Sequence, residues 1–137
     1  MIRKSWTLAA AVCAAIAVPT LAEARQGSQC ASGRPISIYL PLGAAAVTPE
    51  GMALVQIVWE RMQPNGGAVV TGHVDGSEQA NTGLSAARAA SVADQLKAWG
   101  VPAGRLTVAG AGFSRPAVNV PGEEVLNRRV EVCVTPG

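Results

Sequence analysis

Residues 69–92 are the stretch that most constrains how this chain can fold. An apolar strand is predicted over 69–74, a polar loop over 75–81, and an Ala-rich amphipathic helix from about Thr82. An apolar stripe recurs along that helix at every fourth residue and consists of Leu84, Arg88, Val92 and Leu96. The stripe therefore predicts that one guanidinium group, that of Arg88, faces the sheet.

The buried position predicted for Arg88 requires an anion or several hydrogen-bond acceptors, because lost hydration costs several kcal/mol. Asp75 is the nearest carboxylate, since it follows the predicted strand directly. A strand-loop-helix unit brings that strand end beside the first helical turns, so the two side chains are predicted to flank one cleft. Such a cleft can hold a zwitterion, and backbone N–H groups near 81–84 add to its anion-binding side. The alternative is an internal salt bridge between Asp75 and Arg88.

Three runs of sequence in and after this unit form a recognisable pattern: GHVDGSEQANTGLSAARAASV at 72–92, GAGFSRP at 110–116 and NRRV at 127–130. This pattern resembles the OmpA-like peptidoglycan-binding domain family, as found in OmpA, Pal and MotB. The similarity extends over about 36–134. It implies noncovalent binding of the diaminopimelic acid residue in peptidoglycan stem peptides, without turnover and without a cofactor.

Functional residues follow from the resemblance position by position. It implies that Asp75 and Arg88 are the main contacts of diaminopimelate. The supporting positions are Asn81, Leu84, Ser85 and Arg128. Helix capping is the alternative role for Asn81 and Ser85. Strand alternation allows at most one of Arg128 and Arg129 to face the cleft.

Two features depart from the family pattern. Val74 stands where the family usually has Thr, and the loop over 75–81 is shorter than usual. A shorter loop shifts Asp75 relative to Arg88. The alternative function is therefore a structural or partner-binding module whose peptidoglycan affinity is weakened or lost.

The N-terminal residues 1–24 have the pattern of a secretory signal peptide. Arg3 and Lys4 precede an apolar run at 6–18, and Ala22, Glu23 and Ala24 form a small-x-small cleavage signal. The apolar run is shorter than the roughly 20 residues of a spanning helix, so no membrane span is expected after cleavage. The pattern predicts a periplasmic protein with a lead at 25–35 and one domain at 36–137. Association with the outer membrane would then require a partner, such as another envelope protein.

The charge of the chain argues against nucleic acid as a partner. The formal net charge is +2, from 11 basic and 9 acidic residues, and the arginines are scattered along the chain. Nucleic-acid-binding proteins and membrane-surface proteins instead concentrate Lys and Arg in patches.

Two cysteines, Cys30 and Cys133, remain after the predicted cleavage. An even pair in an oxidising compartment predicts a disulfide. Antiparallel pairing of strands near Ile36 and Val130 would bring the two residues together. Separate free thiols are the alternative.

The other elements complete the fold prediction. Strands are predicted at 36–40, 105–109 and 128–134, and a first helix runs from an N-cap at Thr48 to about Met62. Residues 117–124 are predicted to form a surface loop. This order predicts an α+β fold, a two-layer βαβαββ sandwich with a mixed four-stranded sheet and both helices on one face.

His73 is the only histidine, and its neighbours suggest two chemical roles, in a hydrolase triad or in a metal site. His73, Asp75 and Ser85 supply the residue types of a hydrolase triad, but no nucleophile-elbow motif surrounds Ser85. His73, Asp75 and Glu78 lack the spacing of a metal site. A hydrogen-bonded structural histidine is expected, with neither catalysis nor metal binding.

Overall fold

The described residues form two α-helices and four strands in the order βαβαββ, as predicted. The structure is a computed structural model that describes Cys30 and residues 33–136; the predicted signal peptide and most of the predicted lead lie outside the described residues. The strands are β1 (Ile36–Tyr39), β2 (Gly67–Gly72), β3 (Leu106–Gly110) and β4 (Arg129–Thr135). The helices are α1 (Pro49–Met62) and α2 (Leu84–Ala98).

The four strands form one mixed sheet in the spatial order β1-β4-β2-β3. The last strand, β4, runs antiparallel to both of its neighbours, β1 and β2. Strands β2 and β3 are parallel and are joined through α2, as a crossover connection requires. The predicted α+β sandwich is confirmed.

The core lies between the sheet and the two helices. Alternate residues of the strands point into the core, and the apolar stripe of α2 packs against them. The fully buried apolar side chains include Ile38, Val55, Val58, Val70, Val92, Leu96, Val130 and Val132. Arg88 is 0% exposed, so the stripe predicted the burial of a charged group correctly.

The α1 helix begins as its sequence predicts. The Thr48 side chain accepts a hydrogen bond of 3.1 Å from the Gly51 N–H, and Pro49 occupies the first turn. The helix leads back to β2 and so fixes the strand that carries Asp75 at its end.

The two cysteines form the predicted disulfide. Cys30 is bonded to Cys133 on β4, and their Cα atoms lie 5.2 Å apart. The antiparallel pairing that would bring the two residues together is present, with Ile38 opposite Val130. The alternative of two free thiols is therefore wrong.

Gly72 allows α2 to pack against the end of β2. A Cβ atom at Gly72 would overlap the backbone carbonyl of Ser85 and would lie 3.0 Å from the Ala89 nitrogen. Helix and strand backbones thus approach more closely than any side chain permits. This approach sets the distance between the end of β2 and Arg88.

A buried ion pair lies on the face of the sheet that points away from the helices. Arg129 Nη2 lies 2.6 Å from Glu131 Oε1. The His73 ring lies beside the same carboxylate, with Nε2 at 3.7 Å from Oε2. Arg129 therefore faces away from the predicted cleft.

Candidate functional site

The guanidinium of Arg88 is fully enclosed by acceptors. Its Nε donates to the Ala44 carbonyl at 2.8 Å, and its terminal nitrogens donate to the carbonyls of His73 at 3.0 Å and Pro41 at 3.1 Å. The remaining two donors reach Glu78, with Nη1 at 2.8 Å from Oε1 and Nη2 at 2.6 Å from Oε2. All five N–H groups of Arg88 are used.

Glu78 supplies the charge that balances Arg88. Its carboxylate also accepts from two backbone N–H groups, those of Asp75 at 3.0 Å and Gly43 at 2.8 Å. Burial by itself raises the pKa of Glu78, but hydrogen bonds from Arg88, Asp75 and Gly43 and the charge of Arg88 outweigh it, so the pKa lies below its ordinary value. Glu78 is therefore an ionised, buried carboxylate.

Asp75 is bonded on both of its carboxylate oxygens. Oδ1 accepts from the Ser77 N–H, the Ser77 hydroxyl and the Glu78 N–H at 3.0, 2.7 and 3.1 Å. Oδ2 accepts from the Glu124 N–H at 3.1 Å and from Arg128 Nη1 at 2.9 Å. Burial raises the pKa of Asp75, yet these hydrogen bonds, that of Ser77 foremost, lower it below its ordinary value.

Asp75 and Arg88 lie close together, but they do not pair. The partner of Arg88 is Glu78, and the partner of Asp75 is Arg128. The two pairs meet in the short 3-10 turn Gly76–Glu78, where Asp75 and Glu78 bond each other's backbone N–H in a capping box. The alternative of a direct Asp75–Arg88 salt bridge is therefore wrong.

The supporting positions take separate roles. Leu84 is buried, and the Ser85 hydroxyl accepts from the Gly112 N–H at 3.0 Å. Asn81 is exposed; α2 is capped by Gly83, with no side-chain cap bond among the described residues. The capping role considered for Asn81 and Ser85 is thus wrong, and Ser85 instead holds the loop after β3.

Residues 117–124, predicted as a surface loop, close the site from outside. Val118 and Asn127 exchange two hydrogen bonds of 2.9 and 2.7 Å that fix the loop. Gly76 abuts the backbone of Pro121, and the Glu124 N–H binds Asp75. Asp75 is consequently 0% exposed.

An open depression of about 340 Å³ lies next to these pairs. Its lining includes Val74, the chain neighbour of Asp75, and Ser85, one turn before Arg88 on α2. Asn81, Gly112 and Ser114 add polar groups to the rim. Its lining does not include Asp75, Glu78, Arg88 or Arg128, so the depression adjoins the two ion pairs only through neighbouring residues of the chain.

The structure does not assemble the triad residues. The carboxylate of Asp75 binds Ser77, Arg128 and backbone groups, while the Ser85 hydroxyl binds Gly112. The His73 ring lies near Glu131 instead. Within the described residues, no group of three or more His, Cys, Asp or Glu side chains is placed to hold a metal ion.

Comparison with known sequences identifies the family. A family model described as OmpA family matches residues 41–129. This chain belongs to the OmpA family. Outer membrane protein A of Klebsiella pneumoniae is 40% identical over 99 residues, which are 67% of this chain and 29% of that relative. Outer membrane protein A of Shimwellia blattae is 37% identical over 99 residues, 67% of this chain and 41% of the relative. The OmpA-family chain therefore spans less than half the length of these relatives.

Solved structures share the fold of this OmpA-family chain. The peptidoglycan-associated lipoprotein from Burkholderia pseudomallei has a TM-score of 0.63 at 22% identity, covering 76% of this chain and 92% of that one. The cell wall anchor of the T6SS from Pseudomonas aeruginosa has a TM-score of 0.57 at 30% identity, covering 71% and 73%. The C-terminal domain of Helicobacter pylori MotB has a TM-score of 0.53 at 21% identity, covering 75% and 84%. The predicted resemblance is confirmed.

Neither helix in the described part of this OmpA-family chain has the length and apolar character that a membrane span requires.

Glu78 is the site residue that sequence reasoning missed. The sequence places it only beside His73 and Asp75, in a group that lacks the spacing of a metal site. The spacing Asp75-x-x-Glu78 is that of a capping box, and this signal would have placed the Glu78 side chain against the Asp75 backbone. The turn Gly76–Glu78 places that carboxylate within reach of Arg88.

The ionisation of Asp75 and Glu78 makes the fold of this OmpA-family chain sensitive to acid. Folding lowers the pKa of Asp75 and of Glu78 from their ordinary values of 3.8 and 4.5. As the pH falls towards these values, the unfolded chain therefore binds more protons than the folded chain does. We expect the two groups to stabilise the fold fully above the higher of these values and to lose that effect progressively below it. Urea denaturation at pH 7, 5, 4 and 3 measures this loss, and equal stability at pH 7 and pH 3 would contradict it.

Proposed function

We propose that this protein binds peptidoglycan noncovalently, through the diaminopimelic acid of its stem peptide, at Asp75 and Arg88. The observation that carries the proposal is the arrangement at Arg88, whose guanidinium meets a carboxylate with two parallel N–H···O bonds. This is the geometry by which arginine recognises carboxylates. The relatives' names, which refer to peptidoglycan and to a cell wall anchor, support the same ligand.

Both charges of a diaminopimelate side-chain centre have a counterpart at this site. Arg88 matches the carboxylate, and Asp75 matches the ammonium. The depression lined by Val74 and Ser85 offers space for the rest of the stem peptide. The function is reversible recognition without turnover.

The protein acts in the periplasm under this proposal, as the signal-like pattern at 1–24 indicates. Its contact with the outer membrane would run through another envelope protein. Peptidoglycan is the ligand, and nucleic acid is not a partner.

Co-sedimentation with purified diaminopimelate-type peptidoglycan tests the site. We expect Arg88→Lys and Asp75→Asn to weaken binding at least tenfold, because each loses a charge-assisted contact worth roughly 2 kcal/mol or more. The matched controls are Arg61→Lys on the exposed side of α1 and Asp94→Asn on the exposed side of α2. Circular dichroism establishes that every variant is folded.

Peptidoglycan with lysine in place of diaminopimelate sharpens this test. Lysine lacks the second carboxylate, so Arg88 has nothing to bind, and the protein should stay in the supernatant. Free meso-diaminopimelate should compete with the diaminopimelate-type wall. Binding that is unchanged in both folded site variants would place the wall contact elsewhere.

A second candidate function is a partner-binding module with weakened peptidoglycan affinity. The observation that favours it is that Asp75 and Arg88 are both 0% exposed and fully bonded within the chain. Association with an envelope protein that survives both site substitutions, together with no wall binding by the wild type, would support this candidate.

A further inference from the structure

Three of the five hydrogen bonds of the Arg88 guanidinium go to groups other than Glu78. Three backbone carbonyls hold the guanidinium, from Pro41 and Ala44 in the loop after β1 and from His73 after β2. Glu78 is the only charged group bonded to Arg88 among the described residues, and it belongs to the short turn Gly76–Glu78 instead of to the sheet or a helix. The guanidinium would thus keep its place and three of its five hydrogen bonds if that turn moved.

The groups that bind the Glu78 carboxylate form a complete carboxylate receptor. Two N–H groups come from Arg88, one from the Gly43 backbone and one from the Asp75 backbone, at 2.6 to 3.0 Å. These four donors come from the loop after β1, from α2 and from Asp75, the residue that caps the turn Gly76–Glu78. Any carboxylate that entered in place of Glu78 would find the donors of the loop and the helix already in position.

We propose that Glu78 occupies, from within the chain, the position of the ligand's carboxylate, so that ligand binds only by exchange with it. This inference rests on the proposed function, since it assigns the occupant of the same site. Glu78 then sets the affinity of the site: the turn Gly76–Glu78 swings out, the ligand's carboxylate takes the two guanidinium bonds, and Glu78 moves into solvent.

Under exchange, the apparent association constant equals that of the open site multiplied by the fraction of molecules in which Arg88 is free of Glu78. A site that is open about a tenth of the time binds tenfold more weakly than an open one, and a site open about a hundredth of the time binds a hundredfold more weakly. The short bidentate contact between Arg88 and Glu78 indicates that the closed form dominates. We expect Glu78→Ala to tighten ligand binding at least tenfold.

Calorimetric titration of the full chain with meso-diaminopimelate tests the exchange. The variants are Glu78→Ala, which empties the position, and Glu78→Gln, which keeps its shape without the charge. The matched control is Glu60→Ala on the exposed face of α1, which should bind as the wild type does. A second readout is the rise of the unfolding temperature on adding meso-diaminopimelate, which should be larger for both Glu78 variants than for the wild type.

The outcomes separate this inference from the proposed function. Tighter binding by either folded Glu78 variant supports exchange, including the case in which the wild type binds below detection. Wild-type binding that Glu78→Ala and Glu78→Gln leave equal or weaker overturns exchange and leaves the proposed function intact. No binding by the wild type or by either variant, all folded, overturns both. If Glu78→Ala does not fold, Glu78→Gln decides on the same criteria.

Discussion

Replacing Arg88 with Met is expected to lower the free energy of unfolding by about 3–5 kcal/mol. The substitution leaves the Glu78 carboxylate buried without its cation, and three backbone carbonyls, those of Pro41, Ala44 and His73, lose their donor. Removing one partner of a buried ion pair costs far more than the pair itself contributes, because the remaining charge has no water to solvate it. Urea denaturation at pH 7 measures the loss.

A second substitution distinguishes the unpaired charge from lost packing. In the double variant Arg88→Met with Glu78→Leu, no charge is left unpaired, so we expect recovery of at least half of the lost free energy. The matched control is Arg61→Met on exposed α1, which should stay within about 0.5 kcal/mol of the wild type. A double variant as unstable as Arg88→Met alone would show that the carbonyl contacts, not the carboxylate, govern the effect.

Gly72→Ala is expected to destabilise the fold by about 3 kcal/mol or more, the upper part of the range for an overpacked core. The added Cβ overlaps the Ser85 carbonyl oxygen, and both obstructing groups are backbone, which cannot rotate away as a side chain can. Relief requires α2 to move away from β2. Because α2 carries Arg88, the same shift should weaken wall binding.

The control for Gly72→Ala is Gly104→Ala. A Cβ at Gly104 meets nothing within 4 Å. This variant should therefore be neutral, or more stable by up to about 1 kcal/mol through the reduced entropy of the unfolded chain. Thermal unfolding followed by circular dichroism compares the two. A Gly72→Ala protein as stable as the wild type would mean that helix and strand can separate at little cost.

The architecture and the buried arginine were predictable because their signals are periodic. The four-residue stripe of α2 predicted that Arg88 is buried. The alternation in β4 predicted that Val130, Val132 and Val134 face the core. The even pair of cysteines predicted the Cys30–Cys133 disulfide, and the antiparallel pairing of β1 with β4 brings the two residues together. Periodicity reports which side of an element faces the core, but it did not predict that Arg129 and Glu131, on the other side of β4, are also buried.

The partners of Asp75 and Arg88 were not predictable in the same way. They depend on the path of two irregular segments, the turn Gly76–Glu78 and the loop that presents Glu124, and neither has a period. The shorter loop predicted from the sequence gave no indication that Glu78 would pair with Arg88. The capping role considered for Asn81 is wrong for a related reason. The α2 helix begins at Leu84, and Gly83 is its N-cap.

The sheet order has a consequence for how the chain assembles. Strand β4 lies between β1 and β2, so β1 has no neighbour in the sheet until the last strand is complete. The disulfide also waits for β4, because Cys133 lies on it. The contiguous unit β2–α2–β3 contains Arg88 and Glu78, and local contacts of this kind form early. The Arg88–Glu78 pair therefore lies within a unit that can form first, whereas the contacts from the loop after β1 and the contact of Asp75 with Arg128 wait for the C-terminal segment.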